Sequence, residues 1–273
     1  MNAALPFRLA VFDMDDTLLG PDHQISPENL GALQRLRSAG VEVVIASGRH
    51  HRNISEFEES LGFKGWVISA GGAVVSHAEM QELLYEVTVP QDLGLELFHR
   101  GREIGISLIG YHRTGIFCDQ PSEWISLYTR RTHQVPVADI PALIDSGLQK
   151  LIWTTARERI AQLTPVLQKD YEGRLYVVNT EHEMLEFLSP KANKALATQA
   201  LAAKLGITRE QVLAFGDGNN DVPLLTWAGM SVAMAHGRDS AKRAAKKVSP
   251  PGPPGTAVAR SVEAFLDQDW PMR

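Results

Sequence analysis

At 273 residues the chain has room for one large domain or two modest ones, and its 44% hydrophobic and 22% charged residues are those of a globular protein and not of a disordered chain. A net charge of −5 offers no basic face for nucleic acid, so an anionic ligand must be held by a local set of cations and backbone N–H groups. The single cysteine, Cys118, excludes an intramolecular disulfide, and no apolar run approaches the ~18 residues of a membrane span.

Met1–Phe12 lacks the charged start and apolar stretch of a secretion signal, so a cytoplasmic placement is expected. Leu9–Phe12 is the first of five short apolar runs that read as buried parallel strands, followed by Val41–Ala46, Trp66–Ile68, Val212–Phe215 and Ser231–Met234. The spacing predicts a helix over Pro27–Ala39, with Ser26 as N-cap and Gly40 as stop. A second is predicted over Lys194–Leu205, closed by Gly206. Strands alternating with helices predict an α/β fold with a doubly wound parallel sheet.

The middle of the chain departs from this rhythm. An extended run at Leu83–Val89 precedes a helix after Pro90, and Ile106–Asp119 reads as a hairpin turning near Arg113–Gly115. Helix and strand pairs follow through Leu148–Trp153, Ala156–Lys169, Leu175–Val178 and Glu183–Leu188. This predicts an α+β unit over residues 84–186, inserted into a sheet domain made of residues 1–83 and 187–273. Ser249–Gly255, with four prolines, is a loop before the last helix.

The chemistry gathers where predicted strands end. Asp13-Met14-Asp15-Asp16-Thr17-Leu18 follows the first strand directly, and clustered carboxylates cost stability unless exposed, protonated or met by a cation. In open α/β sheets the carboxyl ends of strands are where ligands bind. The alternative, an acidic turn or helix cap, is the weaker reading. Gly216-Asp217-Gly218-Asn219-Asn220-Asp221 places carboxylates at a second strand end in an oxygen-rich loop that suits Mg²⁺. It is no EF-hand, since Ala228 stands where that loop needs glutamate. Ser47-Gly48-Arg49 offers a hydroxyl and free N–H groups, a phosphate-binding corner at a strand-to-helix junction. A lysine near residue 191, either Lys191 or Lys194, adds the fixed positive charge that phosphoryl transfer requires. Each motif alone is weak, and the argument rests on the set.

As a set, in this order and with the insertion after the third strand, the motifs resemble the haloacid dehalogenase superfamily, in its Cof-type branch with a large α/β cap. The resemblance spans essentially the whole chain. It implies an Mg²⁺-dependent phosphatase for a small phosphorylated metabolite, usually a sugar phosphate, with the insertion acting as a lid. It makes Asp13 the nucleophile and Asp15 the general acid and base. Met14, Thr17, Ser47, Gly48, Lys194 and Asn220 become phosphate contacts, and Leu205-Gly206-Ile207 selects Lys194 over Lys191. Mg²⁺ falls to Asp13, the backbone oxygen of Asp15 and Asp217, with Asp221 orienting the site from behind. The chain departs from the family pattern at Asp16, often Gly, at Ala195 after the lysine, and at Ala70-Gly71-Gly72-Ala73, which lacks a common Asn.

Arg49, His112, Arg113, Trp124 and Glu181-His182-Glu183 are further pocket candidates, each with a plainer reading as exposed charge, hairpin tip or core residue. His50 and His51 are not expected to share a metal. A phosphomutase or phosphotransferase would share Asp13 and Asp15. A receiver-like signalling protein uses similar groups but is about half as long. Neither the natural substrate nor the oligomeric state is written in the sequence.

Overall fold

The computed structural model describes residues 5–55, 57–62, 64–77, 80–131 and 135–266; Met1–Ala4, part of the stretch read for a secretion signal, lie outside the described residues. β1 (Leu9–Phe12) is buried on both faces, which explains its unbroken apolar run. α1 (Pro27–Ser38) follows, its start fixed by Ser26, whose side chain accepts from the Asn29 N–H at 3.1 Å, with Pro27 in the first turn. The chain continues through β2 (Glu42–Ala46), the short α2 (His51–Ser55) and α3 (Glu58–Leu61), and β3 (Trp66–Ser69). β4 (Val74–His77) and β5 (Glu82–Glu86) then run antiparallel at one edge.

The inserted unit holds α4 (Gln91–Glu103), β6 (Ser107–His112), β7 (Gly115–Cys118), α5 (Glu123–Arg131), α6 (Ile140–Gly147), β8 (Leu148–Thr154), α7 (Arg157–Asp170), β9 (Tyr176–Asn179) and β10 (Met184–Leu188). Its sheet is antiparallel throughout, in the order β7-β6-β8-β10-β9. The first sheet resumes with α8 (Lys194–Lys204), β11 (Val212–Gly216), α9 (Val222–Trp227), β12 (Met230–Ala233), α10 (Asp239–Ala244), β13 (Lys247–Val248) and α11 (Ala257–Leu266). The expected unit limits at residues 83/84 and 186/187 fall inside two strands, which is a correction. Glu82–Glu86 pairs with β4 in the larger sheet, and Met184–Leu188 pairs with β8 and β9 in the smaller, so the crossings lie after 86 and after 188. Hydrogen-bond partners decide membership there, and an apolar run does not show its partner.

The larger sheet is ordered β13-β12-β11-β1-β2-β3-β4-β5, with its first six strands parallel. From β1 the chain builds outward through β2 and β3, and it later returns to β1's other side with β11. That reversal makes the carboxyl ends of β1 and β11 a switch point, where a crevice opens. Helices cover both faces. Ala10 and Phe12 pack with Leu36 of α1 and Val262 of α11, whereas Leu9 and Val11 pack with Leu201 of α8 and Leu224 of α9. Phe12 stacks on Phe215 with ring centres 4.5 Å apart, tying the two strands next to the crevice. In the smaller sheet, Leu151, Trp153 and Phe187 face α4, α6 and α7, while Ile109, Ile152 and Leu188 pack with Ala70, Val74 and Ala192 of the larger unit. The insertion therefore sits with one sheet face on the rest of the chain.

Candidate active site

The end of β1 opens into a wide turn over Met14–Leu18, closed by the Leu19 N–H donating to the Met14 carbonyl at 2.9 Å. Asp15 is extended and Asp16 takes φ 56°, a left-handed conformation that Asp tolerates and Gly adopts freely. The turn leaves the Met14 side chain in the core, so only its backbone faces the crevice. Asp13 and Thr17 remain at the crevice, both buried.

Lys194 is the first residue of α8, whose start is fixed by Asn193 accepting from the Leu196 N–H at 2.9 Å. That entry passes close to the Gly71-Gly72 backbone. A Cβ on Gly72, at φ 100°, would lie 2.3 Å from the Asn193 carbonyl carbon. Lys191 is exposed, and its backbone is engaged, the N–H donating to Ser189 Oγ at 3.4 Å and the carbonyl accepting from the Tyr85 hydroxyl at 2.6 Å. Lys194 is 0% exposed, and its ammonium donates to Asp13 Oδ1 and, at 2.5 Å, to Asp221 Oδ1. Asp221 Oδ2 accepts from the Asp217 and Gly218 N–H groups, both at 2.9 Å. Both Asp221 oxygens are thus spent on shaping the loop and holding the lysine. Thr17 Oγ1 donates to Asp217 Oδ1 at 3.0 Å.

Carboxylate oxygens of Asp13, Asp217 and Asp221 lie within 4.8 Å of one another, facing one ammonium. Burial, then the Asp221 charge, raise the Asp13 carboxyl well above its ordinary range, with Lys194 opposing. The same two causes push Asp217 up to about 7. Burial pulls the Lys194 ammonium down, but Asp13 and Asp221 overcome it and hold the proton on. The cluster carries more negative charge than its own cation offsets. Its donors are hard oxygens, and those of Asp13 and Asp217 are not consumed by backbone contacts, a set that fits a divalent oxygen-seeking cation.

Ser47 and Gly48 follow β2 beside this cluster, and the Ser47 side chain accepts from the Arg49 N–H at 3.1 Å. A Cβ built on Gly48 would lie 4.0 Å from the Asn220 amide nitrogen, so that side chain reaches the same corner. The Asp15 carboxylate is not in the acidic cluster. Arg49 holds it with two bonds, Nε to Oδ2 at 3.0 Å and a terminal nitrogen to Oδ1 at 2.5 Å. This clamp spans 34 positions and had no signal in the sequence beyond Arg49's place after Ser47-Gly48.

Among the remaining candidates, Arg113 pairs with Glu86 at the surface, Trp124 is half-buried on α5, and Glu181 and His182 are exposed. His50 and His51 have rings 4.0 Å apart, closer than adjacency on a helix would allow, because His50 precedes α2. His50 Nε2 donates instead to the His112 carbonyl at 2.8 Å, a bond between the two units. Pattern reading passes over Lys150 and Glu186, a buried pair in β8 and β10. They lie within predicted strands, where nothing in the composition marks a charge as functional.

Acidic strand ends, one buried lysine and a hydroxyl corner at a switch point define an enzyme of phosphoryl-transfer type on a doubly wound sheet. The family model for haloacid dehalogenase-like hydrolases matches residues 10–260, and the chain belongs to that family as a phosphatase of its Cof-type branch. The HMP-PP phosphatase of Serratia proteamaculans is 28% identical over 232 residues, covering 84% of each chain. The putative phosphatase YxeH of Bacillus subtilis is 26% identical over 241 residues, covering 84% of this chain and 88% of its own. A haloacid dehalogenase-like hydrolase from Bacteroides thetaiotaomicron superposes with a TM-score of 0.82 at 26% identity, covering 95% and 99% of the two chains. The HAD subclass IIB sugar phosphatase BT4131 shares the fold, with a TM-score of 0.82 at 20% identity over 94% and 98%. Among the described residues no helix is long and apolar enough to cross a membrane.

Proposed function

We propose that the enzyme is an Mg²⁺-dependent phosphomonoesterase acting on a small phosphorylated metabolite, foremost a sugar phosphate, through an aspartyl-phosphate on Asp13. The observation that carries this reading is the Lys194 ammonium shared by Asp13 and Asp221 beside Asp217. It gives a carboxylate nucleophile held in place by a fixed cation, next to an oxygen-donor pair. Relatives named as phosphatases of HMP-PP and of sugars support the substrate class.

Asp13 and Asp217 would hold Mg²⁺ with their carboxylates and Asp15 with its backbone carbonyl, while Asp221 keeps Lys194 and the 217–218 loop in register. Bound there, Mg²⁺ supplies the positive charge that offsets repulsion between Asp13 and an anionic phosphate. Asp13 attacks phosphorus in line with the leaving oxygen, and Lys194, Ser47, Asn220 and the loop N–H groups take up charge on the phosphoryl oxygens. The Asp15 carboxyl gives its proton to the leaving oxygen and later takes one from the water that cleaves the aspartyl-phosphate. The Arg49 clamp orients that carboxyl meanwhile. The inserted unit covers the crevice and excludes bulk water.

The test is phosphate release from sugar phosphates, nucleotides and phosphorylated cofactors, with Mg²⁺ and with EDTA, beside Asp13→Asn. Metal-dependent release lost in the variant is the expected result. Release that survives both EDTA and the substitution would overturn the assignment.

A further inference from the structure

Lys150 is fully buried, 1% exposed, and takes no part in the steps above. It sits within β8 on the sheet face turned toward the catalytic unit. Its ammonium donates to the Gly48 carbonyl at 2.7 Å and to Glu186 Oε1 at 2.9 Å, and lies 4.4 Å from the centre of the Tyr111 ring. An ammonium has three N–H bonds. Two are spent on Gly48 and Glu186, and the fully buried ammonium packs against the Tyr111 ring rather than facing solvent.

What Lys150 holds is the peptide between Gly48 and Arg49. The carbonyl of that peptide accepts from Lys150, and its N–H donates to Ser47 Oγ at 3.1 Å. Because a peptide is planar, fixing one end fixes the other. With its oxygen accepting from Arg49, Ser47 keeps its own proton for a phosphoryl oxygen. The same peptide aims Arg49 at Asp15, which it holds at 3.0 and 2.5 Å. The anchor is itself braced. Glu186 Oε1 also accepts from Thr180 Oγ1 at 3.0 Å, and the Thr180 carbonyl accepts from the Arg238 guanidinium at 2.7 Å. Arg238 then donates its backbone N–H to the Asp217 carbonyl at 2.8 Å. A polar chain thus runs from the phosphate corner, across the inserted unit, to the Asp217 loop.

We infer that Lys150 is a positioning residue for phosphoryl transfer, fixing the Gly48–Arg49 peptide so that the Ser47 hydroxyl and the Arg49–Asp15 clamp come into register only when the inserted unit is seated. The inference rests on the assignment of Ser47 and Gly48 to phosphate.

The experiment measures steady-state phosphate release, per folded enzyme, by wild type, Lys150→Met and Glu186→Gln on a panel that includes acetyl phosphate, whose leaving group is very small. Loss of one charge-assisted hydrogen bond predicts a fall in kcat of roughly 10- to 100-fold in Lys150→Met. The factor is expected to be the same on every substrate, with KM little changed. Glu186→Gln leaves the Gly48 contact in place but takes the charge from its brace, and is expected to lower kcat by a smaller factor than Lys150→Met, again equally on every substrate. A fall that differs between leaving groups would make Lys150 a specificity residue and overturn the inference, as would an unchanged kcat. Should Lys150→Met fail to fold with Glu186 stranded, Lys150→Met/Glu186→Leu carries the same test, with the same fall expected and an unchanged kcat overturning it. An active wild type matched by its Lys150 variants sinks this inference alone. A wild type that releases no phosphate from any compound sinks the phosphate corner and the inference with it.

Discussion

Replacing Lys194 by Met keeps the length of the side chain and removes its charge. In the folded chain that ammonium is 0% exposed and bonded to two carboxylates, Asp13 and Asp221, the latter at 2.5 Å. Asp221 Oδ2 would keep its two backbone N–H partners, but Oδ1 and Asp13 would lose the cation that compensates them. Breaking a buried pair from one side costs ~3–5 kcal/mol. At ~2 °C per kcal/mol for a chain of this size, the midpoint in EDTA should fall by about 6–10 °C. Thermal unfolding followed by circular dichroism measures this directly. Mg²⁺ should narrow the gap, since a cation between Asp13 and Asp217 replaces part of the missing charge and binds only the folded chain. Turnover should fall by roughly 10²–10³-fold, as expected when one preorganised charge is taken from a phosphoryl site. A variant that unfolds within about 2 °C of wild type in EDTA would refute the reasoning, because the carboxylates would then not depend on Lys194.

Arg49→Lys removes the two-pronged grip on Asp15, whose carboxyl is 43% exposed, so stability should change by less than ~1 kcal/mol while kcat drops at least about tenfold. Equal kcat in the two enzymes would count against the clamp. Gly72→Ala forces a Cβ to within 2.3 Å of the Asn193 backbone at φ 100° and should cost at least ~3 kcal/mol, read by urea unfolding; a cost under ~1 kcal/mol would contradict the packing. Burial, and then His51, push the His50 imidazole from 6.5 down to about 3, with Arg52 and Lys150 adding to this and the His112 carbonyl opposing it. Between those values the unfolded chain binds a proton that the folded chain refuses. Stability is therefore intact above about pH 6.5 and falls below it by up to ~1.4 kcal/mol per pH unit. His50→Gln should flatten that slope by one proton in urea titrations between about pH 4.5 and 7; an unchanged slope would show that His50 does not carry it.

Much of the architecture lay within reach of pattern reading because a parallel sheet buries its strands on both faces. Leu9–Phe12 and Val212–Phe215 announce themselves as unbroken apolar runs, and Asp13 and Asp217 sit one or two residues past them. Ser26 marks its helix as a cap by chemistry that acts over three residues. Two strands toward the ends of the larger sheet were harder to see: Val74–His77, between β3 and β5, is half polar and makes no apolar run, and Lys247–Val248 is only two residues long. The side-chain partnerships of the crevice were harder still. Arg49 with Asp15, Lys150 with Gly48 and Glu186, and His50 with His112 join residues 34 to 102 positions apart. Nothing local encodes such pairs: Arg49 meets Asp15 because β1 and β2 are neighbours, and Lys150 meets Gly48 and His50 meets His112 because the inserted unit is seated on the catalytic one.

The position of β1 in its sheet has a consequence for how the chain is made. Leu9 pairs with Val212 on one side and Glu42 on the other. Its second neighbour is therefore some 200 residues away, and at ~5–20 residues per second it leaves the ribosome roughly 9–34 s after the first. The inserted unit closes all its own strand pairings in that interval, since β6 to β10 pair only among themselves. During synthesis the half-built sheet of β1 to β5 exposes the flank of β1 that β11 will cover, beside a neighbour already complete. The nascent chain is then most open to chaperone capture, and the last strands to emerge both bury that flank and bring Asp217 to Asp13.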